Sequence, residues 1–259
     1  CDPDPDRRRH EGYTRYFMAA LQGRDREGHP LRSEQIDFDR DGVISLLEAH
    51  TRVRIASTAP DVPTTSSERL LRVRAPKNGA IAPLAMPAEA AVVDAMARRL
   101  RVADPARQAP RLFERYERRL DEVDLDFRAV KRQEDAAYHK AAADLLARWP
   151  VLDDPWHRDF AGTLQEHRAE IERHLQQSET WHGYRRATKV TSAAGRLLER
   201  SKLASAYAER LARAVETRQL AARLNAVGGS SWQAYTALRR CEVGLSEPRT
   251  VPTKRGAGR

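Results

Sequence analysis

The sequence predicts a mainly α protein in two parts, a short N-terminal segment organised by an acidic loop and then a long antiparallel helical hairpin or coiled-coil bundle. Three observations predict it. Apolar residues recur at alternating steps of three and four across residues 113–141 and again across 190–215, the period of packed long helices. Aromatic residues make up only 6% of the chain, too few for a large β-sandwich, while 41% hydrophobic and 32% charged residues match a helix-rich domain. The run DFDRDGVISLLE, Asp37 to Glu48, is an acidic loop leading directly into an apolar helical pattern.

Each element follows from its residues. EGYTRYFMAALQ, residues 11–22, sets Tyr13, Phe17, Ala20 and Leu21 on one side of a short helix. GHPLRSEQI contains Gly28 and Pro30 and leaves room for barely one helical turn before the acidic loop. A helix of about ten residues starts from Ile44. In TAPDVPTTSSERLLR a Pro-limited loop precedes a helix carrying Leu70 and Leu71, with Ser66 or Ser67 as its cap. Residues 75–87, rich in Ala and Pro, read as a linker. PAEAAVVDAMARRLRV begins with Pro87 in a first-turn position and ends near Asp104-Pro105.

The next helix runs from about Pro110 to Trp149, with a seam at Phe113, Tyr116, Leu120, Val123, Phe127, Val130, Glu134, Ala137 and Ala141. Pro150 and Pro155 bracket a corner, after which Phe160, Leu164, Ile171 and Leu175 share one face. A second long helix from Trp181 carries Val190, Ala194, Leu197, Ser201, Ala204, Ala208, Leu211 and Val215, and stops at Gly228-Gly229. Two apolar seams joined by a corner should fold back on each other, because each needs an apolar partner and the other is nearest. A dimeric coiled coil is the competing solution. The resulting division is 1–74, a linker 75–87, a helical domain 88–245, and a basic tail 246–259.

The acidic loop is the one constellation with specific chemistry. Ca²⁺ is a hard cation that takes about six to eight oxygens, so a coiled loop must turn every second residue inward. Asp37, Asp39 and Asp41 occupy the first, third and fifth positions, and Gly42 stands at the sixth, where the chain turns with positive φ. Val43 then offers its backbone carbonyl, Ile44 faces the interior, Ser45 reaches the ion directly or through water, and Glu48 closes the sphere with both oxygens. This is the pattern of an EF-hand calcium loop, with an exiting helix and little or no entering one. It occurs once in the sequence, which favours a structural ion over the paired loops of a calcium sensor. The plainer reading is an acidic surface turn before a helix.

The rest of the composition mainly excludes. The formal net charge is +9, but residues 1–75 hold 13 basic and 13 acidic side chains, and Arg249 to Arg259 contributes four of the excess charges. The remainder is spread over helices in which Arg alternates with Glu and Asp, a solvated face and not a phosphate track, so nucleic acid is not expected as a partner. No apolar run approaches the roughly 18 residues of a membrane span. Cys1 and Cys241 make no disulfide framework. Cys1 before Asp2 reads as a truncation point, with a cytoplasmic protein expected, or as the lipid-modified first residue of a bacterial lipoprotein. His167 and His174 lie seven apart, outside the i, i+3 or i+4 spacing of a zinc pair. Arg7, Arg8 and Arg9 after three aspartates read as a charge-neutralised loop.

EGYTRYFMAALQG, IDFDRDGVISLLEAHTRVRI and DVPTTSSERLL together resemble the region that follows the catalytic cysteine in bacterial caspase-like or legumain-like cysteine peptidases, over about residues 1–73. The resemblance implies a three-layer α/β/α sheet and a His/Cys dyad. The family's catalytic histidine and cysteine motifs lie upstream of the matched region, and neither occurs here, so no catalytic residue is assigned and Cys1 is not taken as the nucleophile. Two readings follow. In one, the chain is the noncatalytic C-terminal part of such a peptidase, holding one Ca²⁺ and a helical protein-interaction arm, with the upstream peptidase segment as a partner. In the other, it is a free-standing calcium-binding helical adaptor whose hairpin binds a partner protein. They differ in whether the apolar face of residues 13–21 needs a sheet from elsewhere to cover it.

Overall fold

A computed structural model describes residues 12–244, and the protein is mainly α. The helices are α1 (Tyr13–Leu21), α2 (Leu46–Ala56), α3 (Ser66–Arg74), α4 (Pro87–Leu100), α5 (Pro105–Arg148), α6 (Phe160–Glu166), α7 (Arg168–Gln177), α8 (Glu179–Val227) and α9 (Gly229–Gly244). Single 3₁₀ turns occupy Ser33–Gln35 and Pro150–Asp153. Among the described residues there is no strand, only an antiparallel bridge between Arg24 and Pro30. Cys1, Arg7–Arg9 and the tail 246–259 lie outside the described residues.

Helix starts and stops follow local chemistry. Ser45 caps α2, its hydroxyl accepting from Glu48 N–H while the Glu48 carboxylate accepts from Ser45 N–H, a capping box. The same device starts α3, but through Thr65 and Glu68 and not the expected Ser66 or Ser67. Ser67 is instead turned away, donating from N–H and Oγ to the Glu242 carboxylate at 2.9 and 2.7 Å. α4 ends at Arg101 in a left-handed conformation (φ 56°), before Asp104-Pro105. α5 starts at Pro105, five residues earlier than its apolar pattern indicated, and contains Pro110. α8 stops at Gly228, whose φ of 70° suits a residue without Cβ.

The chain divides into two compact units, residues 12–116 with 203–244, and residues 117–202. In the first, Val92, Val93 and Met96 of α4 pack with Ala109 of α5 and with Leu211, Ala214 and Val215 of α8. Leu71 of α3, Met86, Leu220 and Leu224 of α8 and Tyr235 of α9 form a second cluster. The third joins Ala20 of α1, Ile36, Ile44 and Ala49 of α2, with Phe17, Leu21 and Leu31 against it. Arg210, fully buried, donates to the carbonyls of Ser57, Ala59 and Asp61 and holds the α2–α3 loop.

The second unit is an antiparallel hairpin. Its cross-helix neighbours run in opposite directions: Phe127 beside Gly195, Tyr138 stacked edge-on to Tyr184, and Asp144 accepting from Ser178 Oγ at 2.7 Å. The α5 seam falls where its period placed it, with Val123, Glu134 and Ala141 buried. The α8 seam is borne out at Ala208, Leu211 and Val215, which are buried in the first unit, but not in the hairpin. Val190 and Leu197 are exposed, and Thr191 and Leu198 are buried one position on. A Cβ on Gly195 would lie 3.6 Å from the Phe127 ring, an ordinary van der Waals contact, so the two helices pack closely here. The single face expected over residues 160–175 is broken at His167 into α6 and α7.

Candidate metal centre

The acidic loop is held between the 3₁₀ turn at Ser33–Gln35 and the first turn of α2, so a turn and not a helix enters it. Ile36 and Ile44 flank it inside the α1–α2 cluster, which anchors both ends of the loop to α1. Gly42 has φ 82°, as the sixth position requires, and Arg40 at the fourth has φ 66°.

The structure brings Asp37, Asp39 and Glu48 together, with one carboxylate oxygen of each lying within 4.8 Å of the others. Oxygens bound to one Ca²⁺ at about 2.4 Å can stand no farther apart than twice that distance, so the trio fits a shared ion. Asp37 is 5% exposed. Its Oδ2 accepts from Gly42 N–H at 3.2 Å and Ser33 Oγ–H at 3.3 Å, while its Oδ1 is buried with no hydrogen-bond partner. A buried carboxylate oxygen without a donor is costly, and a cation is the natural complement. Glu48, also buried, folds back over the loop start: Oε1 accepts from Phe38 N–H at 2.6 Å and Oε2 from Ser45 N–H and Oγ–H at 2.9 and 3.0 Å. Burial pushes the Glu48 carboxyl up, as does the charge of Asp39. The Asp39 carboxyl is likewise raised by burial, then by the charges of Asp41 and Asp37.

The remaining predicted ligands are placed differently. Asp41 is exposed, and its carboxylate accepts from Val43 N–H at 2.8 Å, outside the trio. Val43 is half-buried. Ser45 is buried, and its hydroxyl is engaged by both the N–H and the carboxylate of Glu48. Among the described residues, no other group of three His, Cys, Asp or Glu side chains is close enough to hold an ion. His174 lies against Asp144 and Trp149, and His167 beside Glu170. Cys241 is free and exposed.

Beyond the loop, α2 carries a buried polar network that the sequence did not reveal. Tyr13 Oη lies 3.0 Å from His50 Nδ1, and burial, with the Arg54 charge, lowers the His50 pKa to about 4. Arg54 pairs with Glu68 of α3, both buried. Arg239 of α9 donates to both oxygens of Glu89 on α4 at 2.7 and 3.0 Å. No helix among the described residues is long and apolar enough to cross a membrane.

No protein-family model, curated protein or solved structure matches this chain.

Proposed function

We propose that this protein is a calcium-binding helical adaptor. Asp37, Asp39 and Glu48 hold one Ca²⁺, and the helical hairpin of residues 117–202 offers the surface for a protein partner. The observation that carries the ion is the orphaned, buried Oδ1 of Asp37 beside two further carboxylates. When bound, the ion supplies the positive charge that offsets the mutual repulsion of the three. Asp37 and Glu48 then tie the loop start to the first turn of α2, and Ile44 keeps that joint in the apolar cluster with α1. Exposed Leu125, Val190 and Leu197 supply apolar contacts along the hairpin.

One observation favours this self-contained reading over the noncatalytic part of a caspase-like peptidase. Tyr16 and Ala20 of α1 are buried, and the half-buried Phe17 and Leu21 pack on Ile36, Ile44 and Ala49, so this chain's own residues cover much of the α1 face while Tyr13 and Met18 stay exposed. Calorimetric titration with Ca²⁺, beside an Asp37→Ala, Glu48→Ala double variant, tests the ion. Saturable one-site binding lost in the variant is expected. The absence of heat and of any melting shift at millimolar Ca²⁺ would reduce the loop to an acidic turn.

A further inference from the structure

Between the acidic loop, α2 and α4 lies a cavity of about 620 Å³, within the roughly 300–1,000 Å³ that accommodates small organic ligands. Four arginines line it: Arg32 before the loop, Arg40 within it, Arg52 on α2 and Arg98 on α4. Nearby arginines are engaged, Arg54 by Glu68, Arg239 by Glu89 and Arg210 by three carbonyls. None of these four guanidinium groups has a hydrogen bond or ion pair to another described residue. Arg52 is half-buried and makes no direct ion pair, its charge offset only through space by Asp25 in a neighbouring pocket. Glu34, Asp37 and Asp94 share the walls, so four positive charges face three negative ones.

Guanidinium forks match the oxygens of a phosphate group, which accepts two parallel hydrogen bonds from each. The floor of the cavity is apolar at Ile55 and Ala91, a surface that inorganic phosphate cannot use. We propose that this cavity binds a small organic phosphate, with its phosphoryl oxygens on Arg52 and the flanking Arg40 and Arg98 and its organic part on the α2–α4 floor. These contacts need no ion in the loop, although the cavity shares Asp37 and Arg40 with it, and the test in chelator separates the two.

The test is calorimetric titration of the full chain with phenyl phosphate and with inorganic phosphate, in the presence of a chelator. Phenyl phosphate should bind more tightly than inorganic phosphate. Arg52→Gln and, separately, Arg98→Gln should each weaken it about tenfold, the scale of one lost charge-assisted hydrogen-bond pair. Arg107→Gln/Arg111→Gln, in a different cavity at the start of α5, should leave affinity unchanged. Arg98 is exposed, so its substitution tests the site even where Arg52→Gln disturbs folding. Equal weakening by all three variants would trace the binding to the general positive charge of the chain and overturn the proposal. Equal affinity for the two phosphates, or no binding at millimolar concentration, would also overturn it.

Discussion

Asp37→Asn should raise the stability of this chain in the absence of calcium and abolish its response to calcium. Asp37 is 5% exposed, and the hydrogen bonds its Oδ2 accepts from Gly42 and Ser33 suit an amide oxygen equally well. The new NH₂ group falls where the unpartnered Oδ1 now stands, with Asp39 and Glu48 carboxylate oxygens within 4.8 Å to accept from it. Two unit charges at that separation repel by roughly 3–4 kcal/mol at an effective dielectric of about 20 and by roughly 1 kcal/mol in water. Asp39 is on the exposed side of the trio, which draws the gain toward the lower end, about 1–3 kcal/mol in all. For a chain of this size each kcal/mol moves Tm by roughly 2–4 °C. Thermal melts followed by circular dichroism, in chelator and in excess Ca²⁺, measure both effects. The native chain should gain stability from Ca²⁺ and the variant should not. A variant that melts below the native chain in chelator while keeping its calcium shift would refute the idea that Asp37 is a strained ligand awaiting a cation.

Gly42→Ala adds a Cβ with nothing within 4 Å, so its cost is the φ of 82° alone, about 1–2 kcal/mol, together with weaker calcium binding; urea unfolding and titration measure the two. Arg210→Leu removes the donor from three carbonyls, two of them at 2.5 and 2.6 Å, and should cost about 3–5 kcal/mol in urea unfolding. A loss under about 1 kcal/mol would mean that the Ser57–Asp61 carbonyls find water once the side chain is gone. Burial pushes the Tyr235 hydroxyl up from the ordinary tyrosine value of 10.0 to about 12, so above pH 10 the unfolded chain sheds this proton first. Tyr235 therefore favours the fold fully below pH 10 and loses on the order of 2–3 kcal/mol as pH rises to about 12. Tyr235→Phe should flatten that part of the alkaline stability profile.

What the sequence disclosed and what it hid divide along the range of the interactions. The α5 seam was legible because Val123, Glu134 and Ala141 recur at a helical period that any packed partner must respect. The Ser45–Glu48 box and the Gly228 stop were legible because a cap is decided within a few residues. The α8 seam was legible at Ala208, Leu211 and Val215 but not within the hairpin, where Thr191 and Leu198 are buried in place of Val190 and Leu197. The α3 cap moved to Thr65 because the hydroxyl of Ser67 has a carboxylate partner 175 residues away, which no local pattern encodes. In the loop, the alternate-residue spacing brought Asp37, Asp39 and Glu48 together as expected. Asp41 is instead turned to its own backbone, where Val43 N–H offers a donor at 2.8 Å.

Glu48 shows why the loop and the fold are hard to separate. One of its oxygens satisfies the N–H groups at the start of the loop, nine and ten residues back, and the other closes the cap of α2, so a single buried carboxylate links the two segments. An EF-hand loop needs its twelfth residue to turn both oxygens to the ion. Those same oxygens are now spent on Phe38, Asp39 and Ser45, so ion capture must compete with hydrogen bonds that already hold the helix start. This competition lowers affinity relative to a loop whose last carboxylate is free, and it leaves α2 ordered whether or not the ion is present. Two residues on, His50 meets Tyr13, and a further turn brings Arg54 to Glu68, so the far end of α2 is fixed by contacts that do not involve the loop. A helix held at both ends has little freedom to swing on binding. An ion bound here, as proposed, would reinforce an existing structure and not open a new surface.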